Sequence, residues 1–121
     1  MIKPILISGI KPEGPLHLGN FLGSLKNFVE LQNSGKYRCL FFIADLHSLT
    51  EKFDHKNKPY QIFWLATEYL AAGLDPKKST IFLQSAVCGP TDLMWLLTIL
   101  TPEGELRRMT QYKDKAITKK Q

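Results

Sequence analysis

Residues 4–33 read PILISGIKPEGPLHLGNFLGSLKNFVELQN, and this stretch decides the fold because a glycine-rich loop joins a strand pattern to a helix pattern. Residues 4–8 are a short, largely apolar run that Gly9 ends, which predicts a buried β-strand. Two prolines and a glycine then predict a loop over residues 10–16. From Leu18 the apolar side chains follow the 3.6-residue period of an amphipathic helix of about sixteen residues.

Strand and helix patterns continue to alternate along the rest of the chain. Residues 38–44 are apolar on both strand faces, which is typical of a parallel sheet covered by helices. A polar loop follows over residues 45–58. The other predicted elements are a helix opened by Pro59 and closed by Gly73, a strand over residues 80–84, a helix over residues 92–100 opened by Pro90 and Thr91, and a helical turn within residues 105–110. This order predicts an α/β fold, a parallel sheet with helices on both faces.

Ligands of such sheets gather at the carboxyl ends of the strands. The segments that follow the three predicted strands, residues 8–20, 44–52 and 84–91, should therefore lie at one edge of the sheet. Three strands make a small sheet, and its open edge would be a liability. We therefore expect residues 1–121 to form half of a larger domain.

The composition is that of a globular protein. The 121 residues are 44% apolar and 22% charged. The longest uncharged run, residues 79–91, is interrupted by polar residues, glycine and proline and is unsuited to span a bilayer. The two cysteines, Cys39 and Cys88, lie beside apolar runs, which suits a reducing compartment. These features predict a soluble intracellular protein.

The net charge of +5 comes from the end of the chain. Residues 1–106 hold ten basic and ten acidic residues, whereas residues 107–121 hold six Lys and Arg against Asp114 alone. Such a segment would attract phosphate if it lay near an anion site. The alternative is a solvated terminus with no binding role.

Three glycines spaced five residues apart, Gly9, Gly14 and Gly19, lie between the first strand and its helix. A helix N-terminus presents unpaired N–H groups and partial positive charge, which favour phosphate. A Walker loop is excluded because Asn20 and Phe21 stand where it needs Lys and Ser or Thr, and the spacing of a dinucleotide loop is absent. A turn that serves only to reverse the chain remains the structural alternative.

His17 and Asn20 stand at the start of the predicted helix, where both side chains can reach a ligand. The pattern P-x-G-x-x-H-L-G-N around them resembles the HIGH signature of class I aminoacyl-tRNA synthetases, with Asn20 in place of the second histidine. Residues 8–23 and 43–50, and the run GELRRMTQYKDK over residues 104–115, resemble bacterial tryptophanyl-tRNA synthetases. Tyrosyl-tRNA synthetases share the fold and the histidine–glycine signature, but we do not expect the last run there.

The resemblance implies a Rossmann-like nucleotide-binding fold of the HIGH superfamily and a two-step reaction. The carboxylate of L-tryptophan attacks the α-phosphate of ATP, magnesium pyrophosphate leaves, and the activated acyl group passes to the terminal ribose of tRNA(Trp). Such chemistry needs no protein nucleophile. The resemblance also implies a cytoplasmic homodimer without membrane association. Mg²⁺ is expected to arrive with ATP, and the scattered histidines and cysteines predict no protein-bound metal.

Individual residues acquire expected roles from the same resemblance. The expected catalytic residues are His17, Asn20 and Lys115. Further ATP contacts are expected from Lys11, Pro12, Glu13, Gly19 and Lys113, and contacts to tryptophan from Ile7, Gly9 and His47. For the two lysines near the end of the chain the alternative is surface solvation. For His47 it is a structural cap at the end of a strand.

In the family that the chain resembles, several parts of the enzyme lie beyond position 121. They are the tryptophan-selecting acidic residue, the KMSKS phosphate loop and the anticodon-binding domain. We therefore expect residues 1–121 to be the N-terminal half of a catalytic domain that is inactive, or nearly so, by itself. Two alternatives remain open: a non-catalytic module that binds a nucleotide or a partner, and another nucleotidyltransferase of the HIGH superfamily.

Overall fold

The structure is a computed structural model that describes residues 2–50 and 54–118. These residues form two compact units, which divide between Ala86 and Val87. The elements of the first unit are β1 (Ile5–Ile10), α1 (Leu18–Asn20, π-helical Phe21–Leu25 and Lys26–Asn33 in succession), β2 (Arg38–Ile43), α2 (Asp45–Ser48), α3 (Lys58–Ala71), β3 (Thr80–Leu83) and a 3₁₀ turn (Gln84–Ala86). Those of the second unit are α4 (Cys88–Leu100), α5 (Glu103–Leu106) and α6 (Thr110–Thr118).

The three strands form a parallel sheet in the order β1-β2-β3. Ile10 is in register with Ile43, and Ile43 is in register with Leu83, so the strands end level with one another. The loop after β1, the helix α2 and the 3₁₀ turn therefore all begin at one edge of the sheet. This confirms the predicted parallel α/β fold, and residues 8–20, 44–50 and 84–86 begin at the shared edge as predicted. Of the expected segments, residues 51 and 52 lie outside the described residues and residues 87–91 belong to the second unit.

One face of the sheet carries the core of the first unit. Phe28 of α1 stacks on Phe41 of β2 with ring centroids 4.5 Å apart, and Tyr69 of α3 meets Phe28 edge-on at 6.3 Å. The buried cluster consists of Leu25, Phe28, Cys39, Phe41, Ile43, Leu65, Tyr69 and Leu74. Both α1 and α3 thus pack on the face of β2 that carries Phe41.

Phe41 gives a direct test of this core because its side chain is completely buried. We expect Phe41→Ala to lower the free energy of unfolding by about 3–5 kcal/mol, since it removes ring contacts and leaves a cavity. Urea denaturation measures the loss. The control is Phe63→Ala, on a ring that is 65% exposed, for which we expect a change of at most about 1 kcal/mol. Equal losses in the two variants would contradict this description of the core.

The opposite face of the sheet is open within the first unit. Ile5 and Ile7 of β1 are 64% and 61% exposed, so the prediction of a buried strand was wrong for these two residues. The reason is that successive strand side chains alternate between faces, and only Leu6 and Ile10 reach the cluster under α1 and α3.

The long helices of the first unit end where the sequence predicts. Gly35, after α1, has a φ of +65°, and Gly73, after α3, has a φ of +107°, which favours glycine at both positions. The π-helical segment within α1 was not predicted. The sequence pattern predicts an apolar face of α3 that consists of Ile62, Phe63, Ala66, Tyr69 and Leu70. This prediction was partly wrong, because Leu65 is buried whereas Phe63 and Leu70 are exposed.

Two short helices and one early helix start differ from the sequence prediction. The predicted loop after β2 begins with α2, and α6 covers residues that were predicted only in part as one turn. Helix α4 begins at Cys88 rather than near residue 92. Pro90 then lies in the first turn, where the missing N–H would have had no helical partner, so the proline is tolerated inside the helix.

In the second unit, α4 exposes most of its apolar side chains, including Trp95 and Ile99, each of which is 64% exposed. Lys119 and Lys120 of the basic segment lie outside the described residues. Across residues 2–50 and 54–118, none of the helices combines the length and the apolar composition that crossing a membrane requires.

Candidate functional site

The glycine-rich loop leaves β1 at the shared edge of the sheet and turns back toward α1. Pro12 is fully buried, and the side chains of Lys11 and Glu13 form an ion pair. Because both of these side chains are partly exposed, the pair adds little stability. Gly14 has a φ of +140°, a conformation that L side chains rarely adopt, so a glycine is needed at this turn.

His17 and Asn20 cap the start of α1 through two reciprocal hydrogen bonds. The backbone N–H of Asn20 donates to His17 Nδ1 at 3.3 Å, and the backbone N–H of His17 donates to Asn20 Oδ1 at 3.3 Å. This arrangement is a capping box in which histidine and asparagine take the usual places of Ser or Thr and Glu or Gln. We refer to it below as the His17–Asn20 cap.

The His17–Asn20 cap fixes the hydrogen-bonding character of the imidazole. Nδ1 accepts a hydrogen bond, so in the neutral ring the proton resides on Nε2. His17 is exposed, and its Nε2–H is therefore available as a donor beside the remaining N–H groups of the helix N-terminus. Together these donors suit an anionic or hydroxyl-bearing ligand.

Gly19 allows the imidazole to lie against the first turn of α1. A Cβ atom added at Gly19 would be 3.0 Å from both Cε1 and Nδ1 of His17, so the imidazole would have to shift by a few tenths of an ångström. The sequence predicts that a ligand approaches the backbone closely at Gly19. The structure adds a second reason for glycine there, which is the closeness of the His17 imidazole.

Ile7 and Gly9 lie on β1 on the open face of the sheet. A Cβ atom at Gly9 would be 2.6 Å from the carbonyl oxygen of Phe42 and 2.7 Å from its ring, so only glycine fits at this position. The packing of Phe42 is thus enough to explain a glycine at position 9. A contact with tryptophan remains a prediction for both Ile7 and Gly9.

His47 lies on α2, directly after the central strand. Its backbone N–H donates to Gln84 Oε1 at 3.1 Å, and Asp45 Oδ1 accepts from the N–H of Ser85 at 3.0 Å. These two bonds join α2 to the 3₁₀ turn after β3, so Gln84 satisfies a backbone group. The imidazole of His47 is exposed at the same edge of the sheet as the His17–Asn20 cap.

Three side chains of α3, which the sequence reasoning missed as site residues, hold the backbone of the glycine-rich loop. Lys58 Nζ donates to the carbonyl oxygen of Pro12 at 3.0 Å, and Glu68 Oε1 accepts from the N–H of Leu16 at 3.0 Å. The Tyr69 hydroxyl accepts from the N–H of Ile10 at 3.1 Å and donates to the carbonyl oxygen of Phe42 at 3.1 Å. A tyrosine on an apolar helix face was the available signal, because a buried hydroxyl needs a partner.

The buried Tyr69 hydroxyl predicts a loss of stability at alkaline pH. Burial raises the pKa of Tyr69 to about 12, although the hydrogen bond from Ile10 opposes the shift. An unfolded tyrosine ionises near pH 10, so the stabilising contribution is complete below about pH 10 and is lost as the pH rises through about 12. We expect the free energy of unfolding to fall by about 2–3 kcal/mol over this interval.

Denaturation at a series of pH values measures this loss, and Tyr69→Phe should remove the part due to Tyr69. The matched control is Tyr60→Phe, because Tyr60 is 66% exposed and should leave the alkaline loss unchanged. A Tyr69→Phe variant whose pH profile parallels that of the original chain would contradict the assignment.

Lys113 and Lys115 lie on α6, in the second unit, whereas the other predicted site residues lie in the first. Lys113 is exposed. Lys115 is partly buried and interacts with another group of the protein. Arg107, which directly follows α5, forms an ion pair with Glu103 at 2.7 Å, and the hydrogen bond and charge of that carboxylate raise the pKa of Arg107.

No group of three or more His, Cys, Asp or Glu side chains within the described ranges is placed to hold a metal ion.

Comparison with known proteins identifies the family of this chain. A family model described as tRNA synthetases class I (W and Y) matches residues 3–121. The chain belongs to this family. The Rossmann-like fold expected from the resemblance to class I synthetases is thereby confirmed.

Similar proteins within this class I synthetase family include tryptophan enzymes. Tryptophan–tRNA ligase from Rickettsia bellii is 49% identical over 115 residues, which is 95% of this chain and 34% of that protein. The structure of tryptophanyl-tRNA synthetase from Campylobacter jejuni matches with a TM-score of 0.82 and 34% identity, over 97% of this chain and 36% of that one. A second structure of the Campylobacter jejuni enzyme, complexed with ADP and tryptophan, matches with a TM-score of 0.81 and 36% identity, over 93% and 34%.

These matches also define how much of a synthetase the chain represents. The chain spans about a third of the length of the curated relatives that it matches. Its family membership and its fold follow from the matches.

Proposed function

We propose that this chain is the N-terminal, ATP-binding part of a tryptophan–tRNA ligase. The observation that carries the proposal is the His17–Asn20 cap, which presents an imidazole N–H and backbone N–H groups at the carboxyl edge of a parallel sheet. The similarity to tryptophan–tRNA ligases and to a synthetase complexed with ADP and tryptophan supports the same substrates here.

The reaction would proceed in two steps. A carboxylate oxygen of L-tryptophan attacks the α-phosphorus of ATP, and the bond from that phosphorus to the bridging oxygen breaks to release pyrophosphate with its Mg²⁺. A hydroxyl of the terminal ribose of tRNA(Trp) then attacks the acyl carbon, and AMP leaves. Positioning and charge stabilisation provide most of the catalysis in such reactions.

Within this scheme, His17 Nε2–H and the first amides of α1 bind oxygens of the phosphates or ribose of ATP. Gly19 keeps the imidazole in place, and Asn20 holds its Nδ1 side through the reciprocal cap. Lys11 and Glu13 line the approach to the nucleotide. Pro12 was predicted as a further ATP contact, but its ring is fully buried, so it supports the loop from below. The negative charge of the phosphates favours these N–H donors, and the His17–Asn20 cap already holds the backbone that carries them.

The remaining site residues complete the proposal. Ile7 and Gly9 border the tryptophan side chain from the open face of the sheet, and His47 borders the same site from the end of β2. Lys115, with Lys113 as a second cation, contacts the triphosphate. Mg²⁺ enters with ATP and is held largely by phosphate oxygens. The whole protein acts as a homodimer in the cytoplasm.

Tryptophan-dependent exchange of labelled pyrophosphate into ATP tests the proposal in a longer protein that contains residues 1–121. Exchange that requires L-tryptophan, and that L-tyrosine does not support, is the expected result. ATP binding without exchange would instead favour a non-catalytic binding module. Exchange that is indifferent to tryptophan would favour another nucleotidyltransferase of the HIGH superfamily.

A further inference from the structure

The glycine-rich loop is held in place mainly by side chains of α3 rather than by hydrogen bonds within the loop. Pro12 and Pro15 have no N–H to donate, and the loop's own backbone contributes the bond from the N–H of Glu13 to the carbonyl of Lys11. The three bonds from α3 described above therefore supply much of its order. Since Lys58 and Glu68 are ten residues apart on the helix, the loop is fastened along about 15 Å of α3.

Glu68 is the anchor nearest to the proposed ATP site. Its Oε1 accepts from the N–H of Leu16, and Leu16 immediately precedes His17. Glu68 Oε2 is buried and has no hydrogen-bond partner among the described residues. A half-satisfied buried carboxylate does not favour stability, so stability alone does not explain the glutamate.

We propose that Glu68 is a positioning residue, which sets the entry of the chain into the His17–Asn20 cap by holding the Leu16 amide. Tyr69, the adjacent residue of α3, fixes the other end of the same loop at Ile10. The expected effect of Glu68 on ATP binding rests on the proposed function. Its structural part, the placement of the His17 imidazole, is independent of that function.

The experiment separates these two parts in the 121-residue chain. NMR of the imidazole groups reads the placement of His17 directly, because the chain holds only three histidines, His17, His47 and His55. Titration with ATP and Mg²⁺ reads binding, and thermal melting reads stability. The variants are Glu68→Leu, which removes the acceptor, and Glu68→Gln, which keeps it. Glu30→Leu is the matched control, because it removes an exposed glutamate from α1.

Glu68→Leu is expected to shift or broaden the imidazole resonances of His17, with those of His47 and His55 unchanged, and to weaken ATP binding about tenfold. Glu68→Gln should restore both properties, and Glu30→Leu should alter neither. Glu68→Ala replaces Glu68→Leu if the leucine variant does not fold. Unchanged His17 resonances in a folded Glu68→Leu chain would overturn the proposal.

Failure of the proposed function gives a different pattern. In that case the original chain binds no ATP, whereas the His17 resonances still respond to Glu68→Leu and recover in Glu68→Gln. If ATP binds the original chain and Glu68→Leu equally well and the His17 resonances do not move, the function stands and the positioning role of Glu68 is wrong.

Discussion

Replacing His17 with alanine in the longer protein should lower the rate of tryptophan-dependent pyrophosphate exchange by about 10²–10³-fold, because it removes a preorganised donor to developing negative charge. The imidazole presents its Nε2–H from a ring whose Nδ1 is already committed to the Asn20 amide. The donor therefore needs no reorganisation when charge builds up on the phosphate. Steady-state exchange kinetics at saturating tryptophan measure the effect.

Two companion variants separate catalysis from helix capping. His17→Ala also removes an N-cap, which costs about 1 kcal/mol of stability. His17→Ser keeps an acceptor for the cap, so its melting temperature should stay close to the original while its exchange rate falls as far as that of His17→Ala. His55→Ala, the same change in an exposed polar segment, should have no effect on exchange. Full activity in His17→Ser would assign the histidine to the cap alone.

The 121-residue chain by itself should show no tryptophan-dependent pyrophosphate exchange, whereas the longer protein that contains it should. The chain spans about a third of its curated relatives, and the resemblance places the second phosphate loop beyond this third. Without the cationic groups of that loop, the negative charge that develops on the leaving pyrophosphate is not neutralised. The expected loss is at least about 10³-fold, comparable to the removal of several transition-state contacts.

The control for this prediction is ATP binding by the same 121-residue preparation. Binding by a folded but inactive chain would assign the missing activity to the missing catalytic groups rather than to misfolding. Exchange above background in the short chain, abolished by His17→Ala, would mean that residues 1–121 carry enough of the catalytic machinery, and the prediction of inactivity would be wrong.

The features that the sequence predicted well are those set by local pattern. The strand–loop–helix run of residues 4–33 has a clear change of period at the loop, and glycines end both long helices of the first unit. The alternation of strands and helices then leaves few topologies, because parallel neighbours need helical crossovers. The position of His17 and Asn20 at the start of a helix was predicted for the same reason, because Asn20 follows His17 by three positions in the loop that opens the helix.

The features that the sequence did not predict depend on long-range packing. Glu68 and Tyr69 bond to amides 52 and 59 residues away, and no local pattern encodes such a distance. The exposure of Ile5 and Ile7 follows from which face of the sheet the two helices cover, which periodicity in one strand does not specify. For Gly9 the resemblance predicts only a contact with tryptophan, whereas the ring and carbonyl of Phe42 already exclude a side chain there.

The central claim is that the turn between β1 and α1 binds the nucleotide through the His17 imidazole and the first amides of the helix. Amide NMR of the 121-residue chain titrated with a non-hydrolysable ATP analogue and Mg²⁺ tests it most directly. We predict the largest shifts at residues 17–20, with a marked change in the His17 side chain and loss of both in His17→Ala. Saturable binding that leaves these resonances unchanged and moves those of another surface would contradict the claim.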